Sequence, residues 1–221
     1  MDDARRAYES LDEPWRAAIA EAWTSWAGGS AGVGAAISRS STGEIVAVGR
    51  NRMLEPRTEP GVLASTSLAH AEMNALAVLP LGPTDDLVLS TTFEPCLMCA
   101  GTILQFGIPR VRYAAADPFF DGLNDWFVES PYARERAPQR EELGGRVGAF
   151  AHVLHTSWLS FWVRDNDVID AHTRLRPHHL ELAREVIASN NLATVAADGG
   201  DVVDALSALW DALGALDSST T

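Results

Sequence analysis

The chain has 221 residues and a formal net charge of −13, and all 17 of its basic residues are arginines. This acidity argues against binding to nucleic-acid backbones, and no apolar run reaches the roughly 18 residues that a membrane helix needs. The polar N-terminus lacks the apolar stretch of a secretory signal, so we expect a cytoplasmic protein with one elaborated domain.

The first half of the chain alternates between helical and strand patterns. Residues 14–26 are predicted to form a helix, because Trp15 and Ile19 begin an apolar stripe along one face. Segments 33–39 and 45–50 are predicted to pair as a hairpin. The elements predicted next are a helix at 68–79, a strand at 87–92, a helix at 96–106 and a strand at 111–116. This order requires crossovers and predicts a partly parallel sheet covered by helices.

The second half has a looser pattern. Residues 117–146 are predicted to be loop with a short helix, and 147–156 to form a strand. The apolar patch at 158–163 is expected to lead into a helix. Apolar repeats predict two further helices, at 176–189 and 201–213.

A cluster of arginines lies just after the hairpin. Arg50, Arg52 and Arg57 could form a local basic strip, or they could belong to a solvated loop paired with Glu55 or Glu59. Neither alternative offsets the acidic balance of the chain. Small neutral substrates therefore suit this protein better than RNA or DNA.

Two short segments carry the chemistry: His70-Ala71-Glu72, and a Pro-Cys-x-x-Cys run that contains Cys96 and Cys99, the two cysteines of the chain. One imidazole and two thiolates suit tetrahedral Zn²⁺. Three protein ligands leave a fourth position for water, which is typical of a catalytic zinc, and the metal lowers the pKa of that water to about 7. A redox-active cysteine pair and a merely packed histidine are the alternatives, and the combination of both segments disfavours them.

Glu72 follows His70 by two residues. On a helix of 3.6 residues per turn their side chains diverge by roughly 200°, so we do not expect both to bind one ion. Glu72 can instead take the proton of the water and return it to the departing amino group. We therefore predict that Glu72 is the catalytic acid and base.

The segments HAEMNAL (70–76) and TTFEPCLMCAGTI (91–103) resemble the cytidine and deoxycytidylate deaminase superfamily, whose zinc signature is H-x-E followed by P-C-x-x-C. They look most like the branch of tRNA adenosine, guanine and cytosine deaminases. The resemblance implies a three-layer α/β/α sandwich with a mixed five-stranded sheet, one zinc per subunit and a homodimer. We expect this deaminase core to span 1–156, with a helical C-terminal extension at 157–221 packed on it.

The resemblance also implies contacts with the substrate. Asn51 would bind the base or the sugar, although an asparagine after a strand can simply form a turn. The N–H of Ala71 and the carbonyl of Glu94 would meet the amide edge or the amino group of the base. Four aromatic residues are predicted either to stack on a base or to pack in the core: Phe119, Phe120, Trp126 and Phe127.

The sequence therefore predicts a zinc-dependent hydrolytic deaminase of a small amino-heterocycle. A nucleobase or nucleoside is the expected substrate, with a slight preference for purines, and the expected reaction is attack of zinc-bound hydroxide on the amino-bearing carbon with release of ammonia. The alternatives are an adenosine deaminase of tRNA or another nucleic acid, and a non-catalytic, zinc-stabilised binding subunit. The intact Glu72 disfavours the second of these.

Overall fold

The computed structural model describes residues 2–57, 60–120, 129–162 and 167–217. The elements of the first half are α1 (Asp3–Glu9), α2 (Glu13–Ala27), β1 (Gly34–Arg39), β2 (Ile45–Arg50), α3 (Ala71–Ala77), β3 (Leu87–Phe93), α4 (Leu97–Phe106) and β4 (Arg110–Ala115). A 3₁₀ turn (Pro118–Phe120) leads to α5 (Pro131–Arg136), β5 (Gln139–Glu142), α6 (Gly145–Trp162), α7 (Asp167–Leu175), α8 (Pro177–Ser189), α9 (Asn191–Ala197) and α10 (Val202–Asp217).

The five strands form one mixed sheet in the order β2-β1-β3-β4-β5. Strand β1 runs antiparallel to both of its neighbours, β2 and β3. Strands β3, β4 and β5 are parallel to one another. The mixed five-stranded sheet that the resemblance implied is confirmed.

Apolar side chains cover both faces of the sheet. On one face Ala75 of α3 and Ile103 of α4 belong to the same buried cluster as Leu89 of β3. On the other face α2 and α6 pack together, with Ile19 and Phe150 in a second cluster that α8 and α10 also join. Helices on both faces make the fold the predicted α/β/α sandwich. Within the described ranges, no helix combines the length and the apolarity needed to span a bilayer.

The prediction of a strand at 147–156 is wrong, because this segment lies inside helix α6. Val147, Phe150 and Leu154 are all buried, and their spacing of three and four residues is the helical period rather than the alternation of a strand. Helix α6 also runs without a break across residue 156, where we expected the core to end. The division into core and extension stays a prediction.

The fifth strand lies instead at Gln139–Glu142, which we had assigned to loop. Its sequence is entirely polar and its residues are mostly exposed. Backbone pairing with β4 at the edge of the sheet gives it its strand conformation, and the side chains carry no apolar alternation that could reveal it. The apolar patch expected to lead into a helix lies, through Trp162, at the end of α6, and helix α7 follows it. The short helices α1 and α9 were not predicted.

Candidate active site

Two helix N-termini bring the predicted metal ligands together. His70 is the N-cap residue of α3 and Cys96 is that of α4, and neither side chain caps its own helix. The Nδ1 atom of His70 lies 3.6 Å from the Sγ atom of Cys96 and 3.5 Å from that of Cys99. The three potential ligand atoms all lie within 4.8 Å of one another, so three residues from two separate segments converge on one point.

This donor set fits zinc. Tetrahedral Zn²⁺ bound about 2.3 Å from sulfur and about 2.0 Å from nitrogen places its ligand atoms about 3.5 Å apart, which matches the observed separations. Both cysteines are free rather than joined in a disulfide. The neighbouring side chains of Cys99 and His70 lower the pKa of Cys96 to about 4, which favours the thiolate form that a metal ligand requires.

Glu72, the second residue of α3, lies beside this cluster and is 4% exposed. Its Oε1 atom accepts a hydrogen bond from the hydroxyl of Thr91 (3.2 Å), and its Oε2 atom accepts one from the thiol of Cys99 (3.4 Å). Burial raises the pKa of the Glu72 carboxyl. A raised pKa suits a group that must both accept and donate a proton near neutral pH.

A cavity of about 330 Å³ adjoins the cluster. The three residues predicted to contact the substrate, Asn51, Ala71 and Glu94, all line it. Its remaining walls are mainly apolar and aromatic, and include Ala31, Val33, Met53, Phe93, Phe119, Phe120, Trp158 and Val168. Such a cavity suits a flat heterocycle held by a few polar groups.

The loop around Asn51 fixes the orientation of its side chain. Asn51 is 3% exposed, and its Oδ1 atom accepts hydrogen bonds from the hydroxyl of Ser30 (2.8 Å) and from the backbone N–H of Met53 (3.1 Å). Because the amide oxygen is engaged with the loop, Asn51 has its NH₂ group to offer a ligand.

The side chain of Glu94 ties the strand ends together. Its Oε2 atom accepts from the backbone N–H of Asp117 at 2.9 Å, and its Oε1 atom pairs with the guanidinium group of Arg140 from β5. The carboxylate therefore holds the turn that leads into Cys96. The predicted role of the Glu94 carbonyl in binding substrate stays a prediction.

Sequence reasoning missed several residues of this cavity, among them Asp117, His155 and Trp158. Burial raises the pKa of Asp117 to about 7. His155 and Trp158 lie three residues apart on α6, so the helical period could have placed them on one face. Phe119 and Phe120 line the cavity as one of our alternatives required. Trp126 and Phe127 lie outside the described residues.

The arginine cluster after the hairpin is paired with local acceptors. The Nε atom of Arg50 lies 2.9 Å from Glu55, and Arg52 lies 3.5 Å from the same carboxylate. Arg57 donates to a backbone carbonyl at 2.9 Å. Glu59, the other predicted partner, lies outside the described residues. The prediction of a loop with its own acidic partner is thus confirmed at Glu55.

Comparisons with known proteins find similarity to deaminases. The family model of the cytidine and deoxycytidylate deaminase zinc-binding region matches residues 9–115. Guanine deaminase from Nitrosomonas europaea is 20% identical over 68% of this chain and 86% of its own, with a TM-score of 0.51. Guanine deaminase from Bacillus subtilis is 31% identical over 52% of this chain and 72% of its own, with a TM-score of 0.40. A tRNA:A34 deaminase is 25% identical over 62% of this chain and 98% of its own, with a TM-score of 0.46.

Proposed function

The chain belongs to the cytidine and deoxycytidylate deaminase superfamily, and on that premise we propose that it is a zinc-dependent hydrolytic deaminase of a small amino-heterocycle. The observation that carries this proposal is the convergence of His70, Cys96 and Cys99 beside a buried carboxyl, that of Glu72, at one cavity.

His70, Cys96 and Cys99 would hold the metal. A bound zinc ion supplies Lewis acidity that makes water a nucleophile near neutral pH. Glu72 accepts a proton from that water and delivers it to the amino nitrogen of the substrate. The amino-bearing carbon gains the oxygen of water and loses ammonia, so one water molecule is consumed for each amino group released.

Three further residues would position the substrate. The NH₂ group of Asn51 and the N–H of Ala71 supply donors, and the carbonyl of Glu94 supplies an acceptor. The cavity of about 330 Å³ lies near the lower end of the range of about 300–1,000 Å³ for small-molecule sites, which favours a single nucleobase or nucleoside. The resemblance of FEPCLMCAG (93–101) to adenosine and guanine enzymes favours a purine. The homodimer and the cytoplasmic location stay predictions.

A panel of substrates tests this function. Zinc-loaded protein is mixed with guanine, adenosine, cytosine, cytidine and a pterin, and ammonia release is measured. We expect turnover of at least one compound, and none by a His70→Ala variant that has lost zinc. Absence of ammonia from every compound, with zinc bound and the protein folded, would contradict the proposal.

A further inference from the structure

His155 is a half-buried histidine at the cavity wall that the mechanism above does not use. It lies on α6, and its ring packs against Phe93 with a centroid distance of 4.3 Å. Trp158 stacks on it from the next turn, at 6.2 Å. These two contacts hold the plane of the imidazole, so its polar edges have a fixed direction.

The backbone fixes the tautomer of this ring. The Nδ1 atom of His155 lies 3.1 Å from the carbonyl oxygen of Ala31. A carbonyl oxygen can only accept, so Nδ1 must carry the hydrogen. Burial lowers the pKa of His155 to about 4, which keeps the ring neutral at pH 7. The Nε2 atom of His155 is then a hydrogen-bond acceptor.

Two histidines near His155 show what distinguishes its Nε2 atom. The Nε2 atom of His152 and both ring nitrogens of His172 are inaccessible to solvent, and they have no hydrogen-bond partner in the described part of the chain. The Nε2 atom of His155 also has no hydrogen-bond partner in that part of the chain. It is not one of the inaccessible atoms, and His155 lines the cavity. This acceptor is therefore accessible, on a residue that lines the space where a ligand would lie.

We propose that His155 is a specificity-determining residue that accepts, at Nε2, a hydrogen bond from an N–H group of the bound heterocycle. This inference rests on the proposed function. His155 would add a hydrogen-bond acceptor on α6 to the hydrogen-bond donor of Asn51. The site would then prefer a heterocycle with an N–H group at that position over one with a methyl group there. A methyl group would leave the acceptor unpaired and crowd it.

The test compares the binding of methylated and unmethylated bases. Calorimetry measures the affinity of zinc-loaded protein, in a Glu72→Gln background that does not consume the ligand, for guanine, adenine, cytosine and their ring N-methyl isomers. We expect one methyl position to weaken binding by about 10- to 100-fold. In a His155→Phe variant, which keeps an aromatic ring against Phe93, we expect weaker binding of the parent base and loss of that discrimination.

His152→Phe is the matched control, because His152 lies on the same helix and lines a different cavity. It should keep the discrimination of the parent protein. Equal discrimination in the parent and His155→Phe proteins, or no binding of any base, would overturn the proposal.

Nitrogen-15 NMR of the parent protein provides a test that does not depend on how the variant folds. We expect a protonated Nδ1 atom and an unprotonated Nε2 atom whose resonance moves when a base binds. A hydrogen on Nε2 would overturn the assignment. Ammonia release is measured separately. If His155→Phe abolishes discrimination between methylated and unmethylated bases but the parent protein releases no ammonia, only the proposed function is contradicted. If the parent protein releases ammonia but His155→Phe discriminates as the parent does, only the role of His155 is contradicted.

Discussion

At the scale of single residues, the chemistry depends on how the protein surrounds the Glu72 carboxyl. Thr91 donates a hydrogen bond to one of its oxygens, which orients the group, while burial raises its pKa. A hydrogen bond that favours the charged form and burial that favours the neutral form oppose each other. The balance leaves a carboxyl that can exchange a proton.

We predict that Glu72→Gln keeps its zinc but loses activity by about 100- to 10,000-fold, because the amide cannot shuttle a proton. Ammonia release and metal content are measured on the same preparation. Glu44→Gln, which alters an exposed ion pair with Arg39, is the control and should retain full activity. A loss of activity that follows a loss of zinc would assign Glu72 to holding the metal instead.

The convergence of His70, Cys96 and Cys99 could be predicted from the sequence because each lies in a short motif whose spacing reports its chemistry. His155 and Asp117 could not be, because they reach the cavity only through the packing of α6 and the end of β4. The side chain of Glu94 illustrates the same limit. Its partner Arg140 is 46 residues away, on a polar edge strand without a strand-like pattern.

At the scale of elements, the position of the metal site depends on how closely α3 approaches the sheet. A Cβ atom added to Gly49 in β2 would lie 2.4 Å from the carbonyl oxygen of Ala71 and 2.5 Å from the nitrogen of Ala75. Gly34 in β1 makes an equally close approach to α2, where the added atom would lie 2.1 Å from the carbonyl oxygen of Ala18. Each glycine thus sets the distance of one helix from the sheet.

We predict that Gly49→Ala weakens zinc binding and activity together, because it displaces the helix that carries His70 and Glu72. Gly34→Ala displaces α2 instead. It should lower the free energy of unfolding by about as much as Gly49→Ala does, about 1–3 kcal/mol, but it should retain the affinity for zinc. Zinc titration and urea denaturation of both variants provide the measurements. Equal zinc affinity in the two variants would contradict this role for β2.

The buried histidines of the C-terminal helices give a pH-dependent contribution to stability. Burial lowers the pKa of His172 to about 3, against about 6.5 in an unfolded chain. Below pH 6.5 the unfolded chain binds a proton that the folded protein does not. The free energy of unfolding therefore falls as pH decreases from about 6.5 towards 3, by at most about 1.4 kcal/mol per pH unit from this group.

We predict that His172→Phe flattens this dependence between pH 7 and pH 5. Asp117 lies 4.0 Å away, and burial raises its pKa to about 7. Its contribution has the opposite sign, because it lowers the free energy of unfolding as pH rises. The comparison is therefore between the variant and its parent, by urea denaturation of zinc-loaded protein. His178→Phe, at an exposed site, should leave the slope unchanged. Identical slopes for His172→Phe and the parent would contradict the prediction.

At the scale of the whole molecule, the charge opposes binding of RNA. The net charge is −13, and Arg50 and Arg52, which could have formed a basic strip beside the cavity, are engaged with Glu55. Proteins that bind nucleic acid neutralise phosphates with unengaged basic side chains and release counterions. Here those side chains already have carboxylate partners.

We therefore predict that an anticodon stem-loop RNA binds no more tightly than the non-specific range of about 10⁻⁴ to 10⁻⁶ M at physiological salt, and that it is not deaminated. Fluorescence anisotropy at increasing salt concentrations measures the affinity, and an ammonia assay measures the reaction. The control is Glu55→Gln, which removes one carboxylate partner from both Arg50 and Arg52 and should raise any residual RNA affinity. Strong, salt-sensitive binding by the parent protein, with ammonia released from the RNA, would show that its substrate is a nucleic acid rather than a free base.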